Sequence, residues 1–250
     1  GKNTILGLDL ETLEYRKGKK ANFPTLELTK SVDLVIDRFK ILVAGKDKAG
    51  EFYRKSFALM FAYVSKRIPE ISEEFYKIDD AMKAGFGWEN GPYEIWDAIG
   101  VEKGIELMKE VGKEPATWVA DMLASGIKSF YIVKNGATYY YDIIQKKHIK
   151  VPGQDSFIIL NNIRKSKEVF KNSGCVVEDL GEGILNVEFQ SKMNTIGGDV
   201  LAGLNKAIDI AEKDFSGLVV GNQGANFSVG ANIGMIFMMA VEQEYDELNM

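Results

Sequence analysis

Apolar residues recur at helical spacing through the first half of the chain. Between Leu26 and Val43, the positions Leu28, Val32, Val35, Phe39 and Leu42 share one helical face, and Gly45 follows as a stop. The stretch from Gly50 to Arg67 carries Phe52, Phe57, Leu59, Met60, Phe61, Tyr63 and Val64. So continuous an apolar set predicts a helix buried on several sides. Pro69 breaks the chain. Ser72 is placed to cap a helix carrying Phe75, Ile78 and Met82 and ending at Gly85. Asn90-Gly91-Pro92 predicts a turn with proline at the first helical position, where its missing N–H costs nothing. The short helix that follows carries Tyr93, Ile95, Trp96 and Ile99 and stops at Gly100. Val101, Ile105, Met108 and Val111 mark another, and Trp118, Met122 and Leu123 the last, closed by Gly126.

The period changes after that glycine. Ser129 to Val133, then Asn135-Gly136, then Thr138 to Tyr141 predict a hairpin, because Asn-Gly supplies the two positive φ angles of a type I′ turn. Asp142 to Gly153 is polar and basic and reads as a connector. Phe157 to Leu160 reads as a strand and Asn162 to Asn172 as an amphipathic helix. From Gly174 the pattern is α/β. Val176–Leu180 and Ile184–Phe189 predict paired strands across Gly181-Glu182-Gly183. Thr195 is placed to cap a helix with Leu201, Leu204, Ile208 and Ala211 on one face. Leu218-Val219-Val220 reads as a buried strand, and a helix begins near Asn232 and carries Met235, Met238 and Met239.

Composition narrows the function classes. The chain has 250 residues, 46% hydrophobic and 27% charged, enough to bury a sizeable core in one large domain or two ordinary ones. The longest apolar run, Gly234 to Val241, is about eight residues where a membrane span needs about twenty. No secretory signal opens the chain, and a start on Gly1 is expected of a stretch from inside a longer gene. The single cysteine, Cys175, cannot form an internal disulfide, which fits a reducing, cytoplasmic compartment; it reads as a small buried hydrophobe. A net charge of −5, with lysines scattered among carboxylates, argues against nucleic acid. His148 is the sole histidine and lies in a basic stretch that reads as solvated surface. No His, Cys, Asp or Glu set has metal-ligand spacing, so no metal is expected.

Two stretches carry a family resemblance. Ile78-Asp79-Asp80-Ala81-Met82, then Gly85-Phe86-Gly87, then Gly91-Pro92-Tyr93-Glu94-Ile95-Trp96-Asp97-Ala98-Ile99-Gly100 resembles the C-terminal helical domain of 3-hydroxyacyl-CoA dehydrogenases, and Ser129-Phe130-Tyr131 is similar to the signal that closes that domain. The resemblance covers roughly residues 45 to 132. It implies a packing or dimerisation domain, with the NAD-binding domain and the catalytic His and Glu upstream. Where the family has a helix-start asparagine, Arg54 stands here, so no dehydrogenase chemistry is implied for these residues.

Residues 175 to about 240 resemble the N-terminal half of a crotonase (enoyl-CoA hydratase/isomerase) domain, ending in Phe227-Ser228-Val229-Gly230-Ala231-Asn232. The resemblance implies that the Val229 backbone N–H is one of two oxyanion-hole donors to a thioester oxygen. It also implies that Lys192, Met193, Ser228, Gly230 and Ala231 line the CoA. The second donor and the two acid/base glutamates are expected downstream. Glu242, Glu244 and Glu247 precede that motif and read as a solvated helix face.

Three rivals compete for the turn. A serine-hydrolase elbow needs G-x-S-x-G, and Asn226 holds the first glycine's place. A dinucleotide fingerprint needs G-x-G-x-x-G, and Gly221, Gly224 and Gly230 have other spacings. A plain strand-turn-helix junction remains. Trp88, Trp96, Trp118 and the three methionines read as core. The expected fold is mainly α: a helical domain over 1–135, a connector over 136–173, and half of a crotonase-like α/β domain over 174–250. The parent is expected to use NAD and acyl-CoA in fatty-acid β-oxidation, with this piece inactive alone, as a homodimer or packed against further domains. Apolar surface from Leu201 to Ile210 and from Met235 to Met239 is then expected to be exposed, or buried against another copy. The alternative is a non-enzymatic helical interaction module with an α/β arm.

Overall fold

The computed structural model describes residues 5–18, 22–32, 34–224, 226–231 and 233–248, without the side chains of 247 and 248. Asn232, where a helix was expected to begin, lies outside the described residues. The chain divides into two compact units, Gly1–Phe130 and Tyr131–Met250. Among the described residues, helices take up 48% and strands 18%, a mainly α balance concentrated in the first unit.

The first unit is helical apart from an exposed ribbon, β1 (Leu6–Leu8) paired antiparallel with β2 (Tyr15–Lys17). Sequence periodicity did not predict this ribbon, because its strands are three residues long. It is held locally: the Asp9 carboxylate accepts from the N–H groups of Glu11 and Thr12 and pairs with Arg16. The helix expected across Leu26–Val43 is two helices, α1 (Pro24–Thr29) and α2 (Val35–Ala44). Thr29 and Ser31 turn their hydroxyls back onto the carbonyls of Leu26 and Leu28, a local alternative to helix continuation.

Next come α3 (Lys48–Lys66), α4 (Tyr76–Phe86), α5 (Pro92–Ile99), α6 (Val101–Glu110) and α7 (Thr117–Ala124). Ser72 caps no helix; its hydroxyl serves a turn at Glu74, and α4 opens four residues later. Aromatic rings run through the core. Phe57 stacks on Phe61 and Phe61 on Trp96, with centroids 6.0 and 4.8 Å apart. Phe130 meets Phe75, Tyr93, Trp96 and Trp118 edge-on. Trp96 and Trp118 are thus core residues, but Trp88 is partly exposed.

The second unit opens with a three-stranded meander, β3 (Tyr131–Lys134), β4 (Ala137–Asp142) and β5 (Lys147–Lys150). The supposed connector therefore contains a strand. Lysines at both ends of β5 hid it, and its partner β4 supplies the missing signal. His148 sits in β5, its ring edge-on to Tyr141.

Phe157–Ile159 is irregular rather than a strand. Gln223 accounts for this: its side chain accepts from Leu160 N–H and donates to Ile158 C=O, satisfying backbone that would otherwise seek a ladder. The expected helix over 162–172 is α8 (Leu160–Lys167) followed by β6 (Glu168–Lys171), pulled into strand conformation by pairing with β7 (Cys175–Gly181).

Strand β7 pairs antiparallel with β8 (Ile184–Phe189) across the Gly181–Gly183 turn. Helix α9 (Gly198–Asp214) then crosses over to β9 (Gly217–Val220), parallel to β8. Thr195 is not its cap: Gly197 holds that place, and the Thr195 hydroxyl donates to Lys192 C=O. Cys175, Val177, Leu185, Val187 and Phe189 face α9, which contributes Val200 and Ala207. A Cβ on Gly203 would lie 2.0 Å from Cys175 Sγ, so this glycine sets how closely α9 approaches the sheet. Val219 and Val220 are partly exposed rather than buried, because β9 is an edge strand with β8 as its one neighbour in the sheet among the described residues. Helix α10 (Ile233–Val241) buries none of its described residues, so the methionines expected as core are not; Phe237 and Met238 are more than half exposed. Leu201 and Ile208 are open as expected, whereas Leu204 and Ile210 pack against the core. The short α11 (Tyr245–Leu248) follows.

Candidate functional site

Two segments some 35 positions apart meet beyond the C-terminal ends of β8 and β9. The first, a 3-10 turn over Lys192–Asn194, holds Met193 and Asn194 at φ of 56° and 55°, the left-handed region. The second is the turn at 226–231, in which Gly230 has φ 91°, a value that side-chain-bearing residues rarely adopt.

A set of asparagine and serine contacts ties them together. Asn194 Nδ2 donates to Asn226 C=O at 3.0 Å, and Ser228 Oγ donates to Asn194 C=O at 2.6 Å. Ile196 N–H donates to Gly230 C=O at 2.9 Å, and Ile196 and Ala231 form an isolated parallel bridge. Within the turn, Gly230 N–H donates to Ser228 Oγ. Asn222 anchors the whole to β8: its Oδ1 accepts from Phe189 N–H and its Nδ2 donates to Phe227 C=O.

The structure therefore brings Lys192 and Met193 into the same place as Ser228, Val229, Gly230 and Ala231. Lys192, Met193, Val229 and Ala231 are exposed and Ser228 and Gly230 half-buried. Ser228 spends its hydroxyl on the backbone. Among the described residues the Val229 N–H meets no acceptor, as is also true of the N–H groups of Phe227, Ser228 and Ala231. Val229 is the one of these that lies between two bonded residues, Ser228 through its hydroxyl and Gly230 through its N–H and C=O. A main-chain donor fixed by bonded residues on both sides, and itself unspent, can serve an external oxygen. The asparagine side chains that build this arrangement, Asn194 and Asn222, were not predicted, since single asparagines in loops carry no pattern; Asn226 takes part through its main-chain carbonyl.

The opposite face of the β7–β8 pair buries charge. Glu178 is fully buried, with Asn186 donating to its Oε2 at 3.2 Å, and its Oε1 has no hydrogen-bond partner among the described residues. Arg164 of α8 forms a fork with Glu188 and stands 3.9 Å from Glu178. Burial pushes the Glu178 carboxyl up, reinforced by the nearby Glu188 charge and opposed by Asn186 and Arg164.

In the helical unit, the three blocks of family resemblance turn out to be bonded to one another. The buried Asp79 carboxylate accepts from Tyr93 N–H at 2.9 Å and Glu94 N–H at 3.1 Å, at the N-terminus of α5. Glu94 closes that end by accepting from Gly91 N–H. A Cβ on Gly91 would lie 2.2 Å from that of Asp79, which is why glycine precedes the proline. Asp97 accepts from Phe130 N–H at 2.7 Å, and Tyr93 Oη donates to Val64 C=O. Burial and the Asp79 charge push the Tyr93 phenol up. Arg54, in the family asparagine's place, donates to the carbonyls of Val43 and Gly45 and so closes the end of α2. Its geometry is structural.

Among the described residues, no group of three or more His, Cys, Asp or Glu is placed to hold a metal ion, and no helix is long and apolar enough to cross a membrane. Glu242 and Glu244 are exposed; the Glu247 side chain lies outside the described residues.

Comparison with curated proteins adds an independent finding. The chain is similar to proteins named for fatty-acid oxidation. It is 37% identical over 247 residues to a probable 3-hydroxyacyl-CoA dehydrogenase of Bacillus subtilis, covering 98% of this chain and 31% of that protein. It is 24% and 22% identical to putative fatty acid oxidation complex trifunctional enzymes of Rickettsia prowazekii and Rickettsia felis, covering 87% of this chain and 27% of each. The chain thus spans less than a third of these relatives. No protein-family model and no solved structure matches it.

Proposed function

We propose that the chain is a stretch of a multifunctional β-oxidation protein combining 3-hydroxyacyl-CoA dehydrogenase and enoyl-CoA hydratase activities. Residues 1–135 serve as a packing domain, 136–173 as its link, and 174–250 as part of an acyl-CoA site of crotonase type. The observation that carries the reading is the Val229 N–H, which meets no acceptor among the described residues and is held between the bonded Ser228 and Gly230. It would donate to a thioester oxygen as enolate charge develops there, and one such donor contributes on the order of 3 kcal/mol to the transition state. Lys192, Met193, Ser228, Gly230 and Ala231 surround it and would contact the CoA.

The residues present do not fit NAD. Gly221, Gly224 and Gly230 lack the fingerprint spacing and do not open a helix from the end of a strand. The dinucleotide would bind elsewhere in the parent, and no step here is assigned to it. With one oxyanion donor and, among the described residues, no acid/base pair at the turn, the piece is expected to catalyse neither reaction alone.

Amide chemical shifts of ¹⁵N-labelled protein titrated with acetoacetyl-CoA test the proposal. The Val229, Gly230 and Met193 amides should move together and saturate. Unmoved amides at millimolar ligand, or shifts confined to other parts of the chain, would overturn it.

A further inference from the structure

The Val229 N–H belongs to the peptide unit between Ser228 and Val229, and the units on either side of it are both pinned. The preceding one is held through the Phe227 C=O, which accepts from Asn222 Nδ2 at 2.8 Å. The following one is held through the Gly230 N–H, which donates to Ser228 Oγ at 3.0 Å. One unit further back, the Asn226 C=O accepts from Asn194 Nδ2. Successive carbonyls thus meet asparagine amides arriving from two different segments. A peptide unit is planar, so fixing its neighbours leaves little freedom in where its own N–H points.

Asn222 is itself firmly placed. It is half-buried, and its Oδ1 accepts from the Phe189 N–H at the end of β8 at 2.7 Å. Before it, Gly221 donates its N–H to Val187 C=O and accepts from Asn186 Nδ2. After it, the Gln223 side chain spans Ile158 C=O and Leu160 N–H at the start of α8. The two ends of the Asn222 amide therefore do different jobs. Its oxygen holds the strand end and its nitrogen holds the turn, an orientation forced by one partner being an N–H and the other a C=O.

We infer that Asn222 is a positioning residue, which aims the Val229 N–H at the thioester oxygen by way of Phe227. That role rests on the reading of Val229 as an oxyanion donor. Aspartate separates the two jobs. Asn222→Asp keeps an oxygen for the Phe189 N–H, loses the donor to Phe227 C=O and sets a carboxylate oxygen against that carbonyl. A residue that only held the strand end would tolerate the exchange.

The test compares the full 250-residue chain with Asn222→Asp by ¹⁵N amide spectra, hydrogen exchange and acetoacetyl-CoA titration. Exchange at the Phe189 amide and the melting temperature should match the parent sequence, showing the strand end and the fold intact. The Val229 and Gly230 amides should nevertheless shift without ligand, and acetoacetyl-CoA affinity should fall about fivefold or more, the loss of one hydrogen bond. Asn222→Ala introduces no charge and serves where the carboxylate disturbs folding; it should give the same turn shifts together with faster exchange at Phe189. Turn amides that stay in place in a folded variant overturn the inference, as does unchanged affinity. A parent sequence that ignores acetoacetyl-CoA overturns the thioester reading and the aim with it, and the ligand-free spectra tell that failure apart from a failure of Asn222 to hold the turn.

Discussion

Asp79 offers the sharpest test of how the helical unit is held together. Its carboxylate is fully buried and accepts two main-chain N–H groups, from Tyr93 and Glu94, at the first turn of α5. Asp79→Ala leaves both donors buried without an acceptor and removes the negative charge from a helix N-terminus. Hydrogen bonds to a charged group contribute about 1.5–3 kcal/mol each, and losing a helix cap costs about 1 kcal/mol within that sum, so a loss of about 3–5 kcal/mol is expected. That is a large share of a typical domain's stability, roughly 5–15 kcal/mol. Asp79→Asn keeps the volume but turns an amide N–H toward one of the donors, and should fall between, at about 2 kcal/mol. All three tryptophans, Trp88, Trp96 and Trp118, lie in this unit, so tryptophan fluorescence during urea unfolding reports on it without interference from the second unit. The midpoint should drop while the slope stays constant. An Asp79→Ala midpoint within about 0.5 kcal/mol of the parent, the ordinary scatter of surface substitutions, would refute the reasoning.

Three further outcomes follow from particular residues. Gly230→Ala forces a Cβ into φ 91° and should cost about 1–2 kcal/mol of local strain; acetoacetyl-CoA shifts at Val229 should weaken, and unchanged shifts would show that the turn is not the contact. Glu178 keeps its proton to higher pH folded than unfolded, so the folded state loses stability as pH rises from the ordinary glutamate value, about 4.3, through the raised one. Glu178→Gln removes that loss, and its melting temperature should gain on the parent's as pH climbs toward neutrality; parallel curves would count against it. Phe237→Glu places a charge on the open apolar face of α10 and should reduce concentration-dependent association in sedimentation, whereas identical behaviour of variant and parent would show that this face is not sticky.

Helix existence was legible wherever local rules suffice. Gly91-Pro92 and the spacing of Tyr93, Ile95, Trp96 and Ile99 mark α5 because a proline start and a 3.6-residue period are properties of the segment itself. The β7–β8 hairpin was legible for the same reason, its glycine turn lying between two apolar runs. Elements that depend on a distant partner were not. β5 and β6 become strands only beside β4 and β7, and Phe157–Ile159 stays irregular only because Gln223 reaches it.

The sequence by itself determined the helical character of the first unit, the α/β pattern of the last, and which residues belong to the candidate turn, since periodicity, glycine and motif order are written in one dimension. Tertiary structure alone decided what binds what. Asp79 as the cap of a helix fourteen residues away, the asparagines that join 192–196 to 226–231, and the unspent N–H of Val229 all depend on distances between segments far apart in sequence. A hydrogen bond is satisfied by position in space, and no spacing along the chain records it.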